Sequence, residues 1–256
     1  GGSQAQVCPL VQGEPFYLQT TFRRELAAYR DRGLPCLTPL IDMSQGLAAA
    51  AAPLVETALR LGCSRQQAEE AFARARQQQE ACQAEMHRLG EEALAALAKD
   101  PERFAVVILA RPYNGLVDEA HMGIPHKFAS RGITVIPVDF LDNSPERSKR
   151  HMYWGMGQRL LKVARRIKEN PQLFGTYITN FSCGPDSFLV GYFRDIMGRK
   201  PSLTLELDSH TADAGLETRI EAFLDIVKAY RQLQTGTRPA AAASFLPAAV
   251  IRNNGN

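Results

Sequence analysis

The chain has 256 residues, with 30 Lys and Arg against 27 Asp and Glu and a formal net charge of +3; the basic residues are scattered rather than striped. That balance gives no electrostatic case for nucleic acid, and no apolar run reaches the roughly 18 residues that span a bilayer. A hydrophobic fraction of 45% and a charged fraction of 22% are those of a globular protein with room for one large or two modest cores.

The opening Gly1–Ser3 reads as a cloning scar or linker, so residues 1–6 are expected to be a tag or linker remnant on a piece of a longer protein. Five cysteines (Cys8, Cys36, Cys63, Cys82 and Cys183) are odd in number, widely spaced and free of any CxxC. Disulfide frameworks favour even counts in small secreted domains, so a reducing cytoplasm is the expected compartment. Residues 7–46 are punctuated by Pro9, Pro15, Pro35 and Pro39. Two short apolar runs there, Pro15–Thr21 and Leu34–Ile41, read as strands. Between them Phe22–Arg32 has helical spacing and ends at Gly33, a C-cap residue.

Helical sequence dominates from Leu47 to Lys99. Gly62 closes a first helix, and Ser64 with Gln67 three residues on forms a capping-box pattern for the next. The stretch Gln66–Leu97 is rich in good helix formers and carries a thin apolar stripe through Phe72, Ala75, Cys82, Met86 and Leu89. It reads as a packing helix. Residues 7–100 are thus expected to form a smaller, helix-rich α/β part.

From Phe104 the pattern becomes four repeats of strand, polar turn and helix. The strands are Ala105–Ala110, Ile133–Val138, Gly175–Asn180 and Ser202–Leu207. Continuous β-branched apolar runs imply strands buried on both faces, hence a parallel sheet covered by helices. The alternation predicts a doubly wound, Rossmann-like α/β domain over residues 101–234. Tyr153–Lys168 and Leu216–Leu233 read as amphipathic helices, the second with Asp213 as its N-cap. Residues 235–256, Ala- and Pro-rich and then Asn- and Gly-rich, read as a tail or linker.

Ligands of open parallel sheets bind beyond the carboxyl ends of the strands. Here that edge carries Arg111–Asn114, Asp139, Cys183 and Asp208–His210. Cys183 follows a strand and precedes Pro185, which suits a first helical turn. A helix N-terminus favours a thiolate, so Cys183 is a candidate nucleophile or metal ligand, with an inert buried cysteine as the alternative. Arg111 and Asn114 suit a phosphate or carboxylate, or else simply form a turn. Asp208 and His210 suit metal or acid–base work, or else a polar capping turn. No GxGxxG follows the first strand, and GxxxxGK[ST], Gly-x-Ser-x-Gly and HExxH are all missing.

Taken together, Cys8–Pro15, Arg111–Asn114, Asn180–Asp186 and Glu206–Gly215 continuing to Phe223 resemble one family, the acyl-CoA dehydratase activase-related proteins, also called CoA-substrate-specific enzyme activases. The resemblance spans residues 7–233. It implies a region related to 2-hydroxyacyl-CoA dehydratase and benzoyl-CoA reductase subunits, Rossmann-like proteins that hold a [4Fe–4S] cluster through cysteines. By that resemblance Cys8 and Cys183 are cluster ligands. A further ligand would come from upstream of Cys8, so the chain alone is expected to carry no cluster or a partly liganded metal. Arg111, Asn114, Asp139, Asp208 and His210 would line the cofactor pocket. The implied substrate is a CoA thioester, and the implied partners are other domains of the parent chain, among them an ATPase activase part. The alternative function is a non-catalytic module that binds CoA or a nucleotide, or docks that ATPase part.

Overall fold

The computed structural model describes residues 6–43, 46–143, 146–180 and 183–234. Residues 1–5, Phe181 and Ser182 of the third strand-end turn, and the tail at 235–256 lie outside the described residues.

Four parallel strands, β1 (Ala105–Leu109), β2 (Thr134–Pro137), β3 (Leu173–Asn180) and β4 (Ser202–Leu207), form a sheet in the order β2-β1-β3-β4. All five residues of β1 are buried, as a strand covered on both faces must be. One layer holds α4 (Arg65–Ala98), α8 (Gly155–Glu169) and α9 (Gly184–Met197), whose Leu97, Leu161, Val163, Leu189 and Phe193 pack with Val107, Leu109 and Tyr177. The other holds α7 (Ile124–Ala129) and α10 (Asp213–Gln234), whose Phe128, Ile220, Phe223 and Val227 pack with Val106, Ile108 and Ile178. Side chains alternate along a strand, so odd residues of β3 face the first layer and even residues the second. The chain leaves β1 for β2 by way of the second layer and returns from β2 across β1 to β3 by way of the first. Opposite directions on opposite faces keep both crossovers right-handed. The parallel doubly wound fold read from the strand pattern is therefore what the chain adopts. Two short helices, α5 (Pro112–Gly115) and α6 (Asp118–His121), continue from β1.

The N-terminal part departs from expectation. Pro15–Thr21 is the end of a helix, α1 (Pro9–Thr21), with Pro15 inside it. Pro9 starts it, its fixed φ and missing N–H suiting a first turn. The run Leu34–Ile41 takes no regular structure, and Pro35 and Pro39 each remove a donor that a ladder needs. No strand occurs among the described residues before β1, so this part is helical rather than α/β. Phe22–Arg32 is largely helix, as α2 (Arg23–Asp31), and Gly33 follows at φ +78°. After α3 (Ala51–Arg60), Gly62 turns the chain at φ +92°. The Ser64–Gln67 capping box then opens α4, with Ser64 Oγ accepting from Gln67 N at 3.2 Å and Gln67 Oε1 accepting from Ser64 N at 3.0 Å. Asp213, expected as an N-cap, is the first residue of α10 and pairs with Lys127 at 2.7 Å.

Reciprocal lysines close the first layer at the bottom of the sheet. Lys168 Nζ donates to Met197 O at the end of α9, and Lys200 Nζ donates at 2.6 Å to Ile167 O near the end of α8. Burial, with Lys168 nearby, pushes the Lys200 amine down to about 8.

Helix α4 docks where the 3-10 turn Val138–Phe140 follows β2, and Gly90 permits the approach: a Cβ there would stand 1.9 Å from Phe140 O. Helix propensity alone favours Gly90→Ala by about 1 kcal/mol. The backbone contact reverses that sign, so urea unfolding of Gly90→Ala is expected to show a net loss of about 1–3 kcal/mol. A gain in stability would contradict the docking.

Candidate functional site

In the order β2-β1-β3-β4 the direction of winding reverses at β1, so the crevice of the sheet opens between the carboxyl ends of β1 and β3. The turns that follow those strands carry Arg111–Asn114 and Cys183. The structure joins them directly. Arg111 Nη2 donates to Cys183 Sγ at 3.0 Å and to Asp186 Oδ2 at 2.8 Å.

Asp186 organises this contact. It sits in the first turn of α9, where a carboxylate suits the positive end of the helix, and is 1% exposed. Thr179 Oγ1 donates to Oδ2 at 2.6 Å and Tyr177 OH to Oδ1 at 3.1 Å. Both donors are odd residues of β3, which is why they face α9. Burial and the adjacent carboxylate push the Tyr177 phenol well above its ordinary value, so it stays a donor. Burial works against the charge on Arg111, but Asp186, Tyr113 and Cys183 outweigh it and the guanidinium is held more firmly protonated. The Tyr113 ring lies beneath that guanidinium, its centroid 4.9 Å away.

The segment that leads to Cys8 is fastened at the start of α8. Gln6 bridges in parallel to Trp154: its N–H donates to Tyr153 O at 2.8 Å, and Gly155 N donates to Gln6 O at 3.0 Å. This fastens the chain beside the start of α8 two residues before Cys8. The Tyr113 phenol is raised first by burial and also by the charges of Asp186, Cys183 and Cys8, against the lowering effect of Arg111. Cys8 and Cys183 are each the N-cap residue of a helix with proline in its first turn, Cys8 for α1 and Cys183 for α9.

Asn114 is fully buried with neither Oδ1 nor Nδ2 partnered among the described residues. Arg111 Nε, Thr176 Oγ1 and Asn180 Oδ1 are likewise buried and unpartnered. Thr176 and Asn180 are even residues of β3 and share the second-layer face. Buried polar atoms without partners cost about 1–3 kcal/mol each.

The remaining sequence candidates do not join this group. Asp139 is 6% exposed and held by Arg159, whose Nη1 lies 2.7 Å from Oδ1. Asp208 Oδ1 accepts from His210 N at 2.8 Å and Thr211 Oγ1 at 3.0 Å, closing a turn on itself. Those bonds hold its carboxyl below the usual range. His210 is exposed on this turn. His121 is buried: its Nδ1 accepts from Gly123 N at 3.1 Å and its Nε2 faces Asp118 at 3.2 Å. Sequence reasoning passed over Asp186 and Tyr113. The available signal was an acidic residue in the first turn after Cys183 and an aromatic two residues after Arg111.

Removing the Asp186 carboxylate leaves a partly buried guanidinium unpaired, so Asp186→Ala is expected to cost about 3–5 kcal/mol. In a double-mutant cycle by urea unfolding, Asp186→Ala combined with Arg111→Ala should cost less than the two singly, by about 1 kcal/mol or more. Additive losses would show that the pair is not coupled.

No curated protein and no solved structure matches the chain. A family model described as CoA enzyme activase uncharacterised domain matches residues 1–141, from the chain start through β1, Arg111–Asn114 and β2. That match covers more than half of the sequence, and with the strand-end motifs it places the protein: the chain belongs to the CoA enzyme activase uncharacterised domain family.

Proposed function

We propose that the β1/β3 crevice is a thiolate-bearing wall of an iron–sulfur site serving reductive acyl-CoA chemistry, to which Cys8 and Cys183 contribute two ligands. The observation that carries this reading is the 3.0 Å contact of Arg111 Nη2 with Cys183 Sγ in the crevice, with the Gln6–Trp154 bridge fastening the chain beside the start of α8 two residues before Cys8. Cys8 and Cys183 are the N-cap residues of α1 and α9. Arg111 and Asn114 would line the pocket for a CoA thioester. Asp139, Asp208 and His210 would lie along the same sheet edge, at its outer strands.

A [4Fe–4S] cluster is held by thiolates, commonly four. No group of three or more Cys, His, Asp and Glu able to hold a metal occurs among the described residues, and Cys36, Cys63 and Cys82 are exposed. The described residues therefore do not fit a complete cluster by themselves. The reading needs ligands from outside them, and the chain's own contribution is to position two sulfurs and screen their charge.

The missing third ligand favours a second reading, in which the crevice binds CoA or a nucleotide, or docks an ATPase part, with no redox chemistry. Anaerobic reconstitution with iron and sulfide separates the two. The first reading expects substoichiometric iron that falls at least about threefold in Cys8→Ser and in Cys183→Ser and is unchanged in Cys36→Ser. Iron binding that survives both cysteine substitutions contradicts it.

A further inference from the structure

Away from the crevice, α1, α2 and α3 and the connector after α2 enclose a cleft of about 680 Å³. Arg23, Arg30 and Arg60 line it, together with Phe16, Gln19 and Thr38. Arg23 and Arg30 are seven residues apart on α2, two turns, and so share one face. Arg60 reaches the same cleft from the last residue of α3. Among the described residues no acidic side chain lines the cleft. The three guanidinium groups have no ion-pair or hydrogen-bond partner among the described residues, whereas Arg65, Arg88, Arg131 and Arg166 all have carboxylate partners.

Three like charges turned into one cavity repel one another unless an anion joins them. Guanidinium forks match phosphate oxygens two at a time. Phe16, 74% exposed at the edge of the cleft, offers a face for a flat base, and Gln19 and Thr38 offer further donors. We infer that this cleft binds a diphosphate-bearing adenine nucleotide, the chemistry that also forms one end of CoA. Helix α1 carries both places: Phe16–Thr20 lies 8 to 12 residues beyond Cys8, about 12–18 Å at the helical rise. That is a distance a pantetheine arm spans, so CoA held at the arginines would present its sulfur toward Cys8. This last step rests on the proposed function of the crevice. The nucleotide site does not.

The test is calorimetric titration of the full chain with ADP, which lacks the arm and so reports on the cleft alone, followed by titration with CoA. Binding of ADP is expected to weaken about tenfold in each of Arg23→Ala, Arg30→Ala and Arg60→Ala, to be partly restored in Arg23→Lys, and to fall as salt is raised. Unfolding curves confirm that each variant is folded. Absence of ADP binding, or ADP affinity unchanged in all three alanine variants, overturns the inference. Binding of a poly-glutamate peptide without ADP binding also overturns it, in favour of an acidic protein partner. If ADP binds as expected while CoA gains nothing over ADP, the nucleotide site stands and the link to the crevice fails.

Discussion

A carboxylate almost wholly removed from water, Asp186, ties three elements together at the top of the sheet. It takes hydrogen bonds from Thr179 and Tyr177 on β3 and from Arg111 beyond β1, while its own backbone belongs to the first turn of α9. Burying such a charge is unfavourable unless it is fully partnered. Here the partners are a cation, two hydroxyls and the helix terminus. The consequence is positional: Arg111 cannot swing into solvent without leaving Asp186 exposed to a low-dielectric surrounding. Its second donor is thereby kept on Cys183. The geometry at the sulfur follows from satisfying a carboxylate one turn away.

The crevice has two unlike walls because the strand alternates. Odd residues of β3 serve the charged, hydrogen-bonded wall against α9, and even residues serve the opposite wall, where Thr176 and Asn180 hold polar atoms without partners among the described residues. The N-terminal helices make a third contribution of a different kind. They bury none of their own residues, yet the bridge from Gln6 to Trp154 secures their start at the crevice. Leu10, Val11, Phe16 and Tyr17 remain exposed along α1.

Much of the sheet was legible in the sequence, because buried parallel strands favour apolar and β-branched runs, clearest here in Ala105–Ala110 and Ile133–Val138. The Ser64–Gln67 box and the turn at Gly62 were legible for an equally local reason. The runs at 15–21 and 34–41 misled because apolar composition alone does not distinguish a strand from a short helix or an extended segment punctuated by proline. At the site, the strand-end rule found the right turns but could not rank them. Ranking depends on strand order, which makes β1 and β3 neighbours and leaves Asp139 and Asp208 on the outer strands. There Arg159 and Thr211 engage them locally. Asp186 was not legible as an anchor, since its burial arises from contacts with Arg111, 75 residues earlier. Cys8 entered only through the family resemblance, and the bridge from Gln6 to Trp154 that fastens its segment is tertiary docking that no local pattern encodes.

The account depends on Cys8 and Cys183 facing one site. Treatment of the folded chain with a short dithiol-bridging reagent, such as a monosubstituted trivalent arsenical, followed by proteolysis and mass spectrometry, tests this directly. A bridged peptide pair containing Cys8 and Cys183, in preference to any pair with Cys36, Cys63 or Cys82, is the predicted product. Labelling of Cys8 and Cys183 without a bridge between them, or bridging of either to one of the three exposed cysteines instead, would contradict it.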